Sequence, residues 1–228
     1  MSNSEPRVVD LASSQAQLRA QVIERARHEP SATRAELVRH HRIVGALVLL
    51  IPLLLFVIWG GVRSGPRPEK LLLETGLGSA AIALGMASIA LGRGHSMLGR
   101  PRSWLLAGVM LTPVLLLLWR ILISSRYPGM MVDWVQRPGL RCFLLSSVLA
   151  AAPLIGVLWM RRHSDPVQPR LSAAAFGAAV GAGVWVLVDL WCPVGYVPHL
   201  LLGHVAPLIV ITAAATLLGG RLLTLKRS

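Results

Sequence analysis

Only two cysteines occur in the 228 residues, Cys142 and Cys192, and each stands at the end of a long apolar run. Two thiols in one chain can form a disulfide or redox pair, or serve as soft metal ligands. The alternative is that they pack as small apolar side chains. Asp189 lies one helical turn before Cys192, His199 and His204 open the next apolar run, and Glu74 begins an earlier one. Cysteine with histidine and aspartate suits zinc or a softer metal, yet the spacing matches no established finger or catalytic zinc pattern, so a metal is left undetermined. An ionisable group inside an apolar span is costly unless paired or wetted, which marks Asp189 either for function or for a structural hydrogen bond. There is no nucleophile elbow, no pair of catalytic carboxylates and no HExxH. Neither catalysis nor a cofactor is expected.

The elements that position these groups are six apolar stretches at 43–62, 71–91, 103–123, 140–160, 171–191 and 199–220. About 20 apolar residues cover the hydrocarbon core as a helix, which alone satisfies its backbone groups internally. Hydrophobic residues make up 54% of the chain, and the mean hydropathy is +0.61. Such a composition excludes an ordinary soluble domain and predicts an all-α polytopic membrane protein. The chain divides into a polar tail, 1–42, and a six-helix membrane domain, 43–228. The first apolar run spans a full bilayer with no small-residue cleavage pattern after it, so it is expected to remain attached.

A net charge of +13 raises the question of nucleic acid, but the Lys and Arg residues are dispersed between apolar spans. Lipid headgroups are their expected neighbours, with no direct nucleic-acid contact. With the N-terminus inside, sixteen Lys and Arg fall on the inner segments and seven on the outer ones, Arg67 and Arg120 among the seven. Positively charged flanks resist translocation, so both termini are expected in the cytoplasm. Cys142, Cys192, Asp189, His199, His204 and Glu74 then share the outer rim.

In the tail, Leu11, Leu18, Val22 and Ile23 form an apolar stripe on a short helix interrupted by Pro30. Thr33 and Glu36 stand in the T-x-x-E relation of a capping box, which starts a second helix near Arg34 that runs through Leu37 and Val38. Short isolated helices are marginal in water, so the stripe must lie against lipid or in a partner's groove. Periodicity does not separate the two. Within the spans, Gly177 and Gly181 at four-residue spacing predict close helix packing, as do Gly76, Gly78 and Gly85 more loosely. Pro52, Pro113, Pro153 and Pro207 are read as kinks.

From Cys142 the chain reads C-F-L-L-S-S-V-L-A-A-A-P-L, then W-M-R-R-H-S-D-P-V-Q-P, then G-A-A-V-G-A-G-V-W-V-L-V-D-L-W-C-P. This resembles the NrsF-like family of six-span bacterial membrane anti-sigma factors for extracytoplasmic-function sigma factors. The two cysteines, Pro153, Pro169, Gly177 and Gly181 carry the likeness. The resemblance implies a multi-pass protein of the bacterial inner membrane that holds a sigma factor by its cytoplasmic tail. It implies Leu11, Leu18, Val22, Ile23, Leu37 and Val38 as the partner-binding residues. Cys142 and Cys192 become a sensory pair for oxidising or metal stress. The tail segment H-E-P-S-A-T-R-A is also similar to membrane anti-sigma factors of myxobacterial type, light-responsive ones among them. The competing reading is a small transporter with a polar path near Asp189, although transporters usually bind at the bilayer midplane rather than at one rim.

Overall fold

The computed structural model describes residues 20, 24, 34–62, 67–92, 101–127, 138–162 and 167–223, with the backbone alone at 34, 37 and 41. By its internal contacts the chain divides into Met1–Arg42 and Ile43–Ser228. In the first unit the described residues are helical. They are Ala20, Glu24 and the start of α1 (Arg34–Ile58), the last beginning where the capping box places it. Leu11, Leu18, Val22 and Ile23 lie outside the described residues, as does the side chain of Leu37, while Val38 is exposed on α1.

The second unit continues α1 and adds α2 (Glu69–Leu91), α3 (Arg102–Ser124), α4 (Leu140–Met160), α5 (Pro169–Trp191) and α6 (Val197–Leu222). All six helices are long and apolar enough to cross a membrane, and no strand occurs among the described residues. The chain is a multi-pass membrane protein. Its outward surface is apolar rather than polar: Leu49, Leu77, Leu84 and Leu217 stand exposed, the last at 75%. In water that surface would drive aggregation, whereas in lipid it is the solvated face.

Helix limits follow local chemistry. The first span ends at Ile58, four residues before the apolar run does. Gly60 and Gly61 take φ of 111° and 59°, and the Gly61 N–H closes back on the Phe56 carbonyl at 2.9 Å. Only glycine adopts these left-handed angles without a Cβ penalty, so the pair stops the helix. Pro68, Pro101 and Pro169 stand at the starts of α2, α3 and α5, where a missing N–H costs nothing. Inside the spans, hydroxyls of Thr75, Thr112, Thr212 and Thr216 donate to the carbonyl one turn back, at 2.6 to 2.8 Å. Each satisfies its own donor without water.

Helix α5 is the most buried span and packs on α2, α3, α4 and α6. A Cβ on Gly177 would meet Ala215 Cβ at 2.6 Å and Thr212 Cα at 2.8 Å. One on Gly181 would stand 3.4 Å from Leu208 Cα, and one on Gly219 would meet Ala173 Cβ at 2.0 Å. Small residues four apart on both helices therefore bring the α5 and α6 backbones together, a gain in dispersion that lipid chains cannot match. Gly78 serves α2 and α3 differently, as a notch: the Trp119 indole fills the space its Cβ would take.

Candidate functional site

Three helix ends meet beside the two cysteines. Helix α4 starts at Gly139, whose φ of 90° turns the chain into close backbone contact with α6. A Cβ at Gly139 would stand 3.0 Å from the Gly203 nitrogen and from the His199 oxygen, and one at Gly203 would stand 3.0 Å from Cys142 Cβ. Two glycines facing each other thus seat Cys142, in the first turn of α4, directly on the start of α6. Cys192 caps α5, its N–H on the Val188 carbonyl at 2.7 Å, with Pro193 next in sequence ending the helix.

The histidines reach the same point through an irregular turn. His199 and His204 are five residues apart, which in an α-helix leaves them about 140° apart around the axis. Residues Leu201–Val205 instead form a π-helical turn, with the Ala206 N–H bonded to the Leu201 carbonyl. A turn that closes from i to i+5 brings such positions onto one side. The ring centroids are 5.8 Å apart. Pro207, two residues past the turn, has no N–H to give to Gly203 and its ring would crowd that carbonyl, so widening relieves both. Where the sequence suggested a simple kink, Pro207 borders a π turn.

Cys142, Cys192, His199 and His204 are all buried, and one ligand atom from each lies within 4.8 Å of the others. His199 Nε2 is 3.4 Å from Cys142 Sγ and 3.1 Å from Cys192 Sγ. Both thiols are free. His204 lies edge-on to Trp185, with centroids 5.1 Å apart, and its imidazole stands beside the thiols. A cavity of about 570 Å³, lined by Pro138, Arg141, Cys142, Cys192, Val194 and His199 among others, leads to the group. Two thiols and two imidazoles are donors for a four-coordinate ion, and the thiols alone are a redox couple.

Asp189 is engaged elsewhere. Arg120 Nε lies 3.0 Å from Asp189 Oδ1, with both side chains 1–2% exposed, and Arg120 Nη2 donates to the Val194 carbonyl at 3.4 Å. Arg67, buried in the connection before α2, donates to the carbonyls of Asp189, Leu190 and Cys192 at 2.9, 2.5 and 3.2 Å. It fills the orphan acceptors at the α5 C-terminus and meets the negative end of its dipole. Burial lowers the Arg67 pKa from its ordinary value and Arg120 adds to this, while Asp189 and Cys192 act in the opposite sense. Glu74 does not join the thiols. It pairs at 3.9 Å with both Lys70 and Arg126 at a partly exposed position, and its carbonyl accepts from Trp119 Nε1.

Arg67 and Arg120 were missed as site residues because both were counted as headgroup charges. Arg120 sits within an unbroken apolar run, L-L-L-L-W-R-I-L-I, and Asp189 is the one acidic residue in the last four spans. That opposition of single charges was the available signal. No curated protein and no solved structure matches the chain. Residues 26–224 match the family NrsF, described as negative regulator of sigma F. The match runs through all six spans and both cysteines, and the chain belongs to that family.

Proposed function

We propose that this negative regulator acts as a membrane anti-sigma factor, holding an extracytoplasmic-function sigma factor through its N-terminal segment and releasing it on a signal received at Cys142 and Cys192. The family match over residues 26–224 carries the reading. The segment 1–42 is the only long polar stretch outside the spans, and its apolar positions Leu11, Leu18, Val22, Ile23, Leu37 and Val38 form the contact surface for the sigma factor. The positive-inside bias supports both termini in the cytoplasm, and the likeness to bacterial anti-sigma factors supports an inner-membrane location. Burial of Arg67 and Arg120 strengthens that bias, since neither is then a free headgroup charge on the outer side. The role requires no catalysis and no small-molecule substrate. A transport path near Asp189 is disfavoured by its partner, because Arg120 neutralises the carboxylate in a closed, buried pair.

The test is co-purification of the full chain from mild detergent, followed by the same experiment on a chain lacking residues 1–42. Recovery of a sigma factor with the first and loss with the second, together with constitutive expression of its target genes, is the expected result. Unchanged repression by the truncated chain refutes the tail's role.

A further inference from the structure

We infer that Cys142, Cys192, His199 and His204 form a Cys2His2 site for a borderline-soft divalent cation of the Zn2+ class, set at the junction of α4, α5 and α6. The inference deepens the sensory reading of the cysteine pair and rests on it only for its regulatory consequence. Four independent features of the chain converge on it.

The first is the donor set. Thiolate and imidazole in equal number are the ligands of tetrahedral zinc, and the two thiolates offset the ion's charge, leaving a neutral unit that tolerates a low-dielectric surrounding. The second is distance. Zn–S of about 2.3 Å and Zn–N of about 2.05 Å in a tetrahedron give S···N edges of about 3.6 Å. The 3.1 and 3.4 Å separations around His199 Nε2 are a few tenths shorter, and the four donor atoms fit within 4.8 Å.

The third feature is His204. A thiol–imidazole hydrogen-bond network needs only His199, which already reaches both sulfurs. His204 is nonetheless brought alongside by a π turn and buried beside the same thiols, one ring nitrogen within 4.8 Å of them. A second imidazole at that point is superfluous to the hydrogen-bond network but completes a four-donor set. The fourth is access, since the cavity reaches Cys142, Cys192 and His199 from the surface.

The experiment uses the full chain purified in detergent, stripped with a chelator and titrated with Co2+ and then Zn2+. The expected result is one equivalent of Co2+ with intense visible d–d bands and a near-ultraviolet thiolate charge-transfer band, both erased by one equivalent of Zn2+. His204→Ala and Cys142→Ser should each lose the tetrahedral spectrum. Because those variants bear on packing, a second measurement is made on the unaltered chain: bound Zn2+ should protect both thiols from maleimide, and a chelator should restore labelling. Absence of the charge-transfer band, binding unchanged in His204→Ala, or labelling indifferent to Zn2+ overturns the inference. Failure here with a sigma factor still co-purifying overturns the metal site alone. Metal binding without co-purification overturns the tether reading alone.

Discussion

Replacing Asp189 with Asn tests whether the buried ion pair is a structural strut of the bundle. The charges are 3.0 Å apart and nearly wholly enclosed, so at an effective dielectric of about 20 their attraction is about 5–6 kcal/mol. Net loss is smaller because the pair also carried a desolvation cost. Removing one partner strands the other, and Arg120 left alone in an apolar span should cost about 3–5 kcal/mol. The double variant Arg120→Met with Asp189→Leu removes both charges together and should lie close to the parent chain or slightly above it in stability. Thermal unfolding of the detergent-solubilised chain is read by a coumarin maleimide, which fluoresces as buried Cys142 and Cys192 are uncovered. At about 2–4 °C per kcal/mol for a chain of this size, Asp189→Asn should melt roughly 6–20 °C lower. A single variant within about 2 °C of the parent, or a double variant as unstable as the single, refutes the strut.

Gly219→Ala places a methyl 2.0 Å from Ala173 Cβ and should destabilise by about 1–3 kcal/mol through overpacking. Ala173→Gly in the same chain should restore the melting temperature, because the new methyl then meets Cα of position 173 at 3.4 Å and Leu223 Cδ1 at 3.5 Å, both ordinary contacts. Arg67→Ala removes three donors from the α5 C-terminus and should speed maleimide labelling of Cys192 in the folded chain by more than tenfold, as measured by mass spectrometry. Pro207→Ala restores a backbone N–H beneath the π turn and should favour regular α-helix, turning His204 away from His199. Weaker Co2+ binding with an unchanged melting temperature is the expected outcome.

The spans were legible because bilayer thickness imposes a length on apolar runs that no local accident hides. Their ends were less so. The first helix stops at Ile58 although the apolar run goes on to Val62, since Gly60–Gly61 overrides hydropathy. The packing role of Gly177 and Gly181 was readable from four-residue spacing alone, because that periodicity is the physical cause of the contact. The meeting of Cys142 with the histidines was not. It depends on Gly139 and Gly203, 64 positions apart, and a non-local backbone approach leaves no periodic trace. The histidine pair did carry a readable signal. An H-x4-H spacing makes poor sense on an α-helix but good sense when a proline three residues on forces a wider turn.

The distribution of donors over the helices determines what a bond at the site holds. Cys192, His199 and His204 come from one continuous stretch that leaves α5 and enters α6, and those two helices are already locked by the close approaches at Gly177, Gly181 and Gly219. Cys142 alone comes from α4. Any bond that includes Cys142, whether to a metal or to the other sulfur, therefore clasps α4 onto a unit that is rigid without it. Loss of that bond frees the α4 N-terminus and little else. Close-packed interfaces have a few discrete arrangements rather than a continuum, so a change of one bond at such a clasp is expressed as a step in helix position. The Gly139–Gly203 contact holds the α4 N-terminus against α6 beside that clasp. Bulk added at either glycine should uncouple Cys142 from the other three donors while leaving the α5–α6 seam intact.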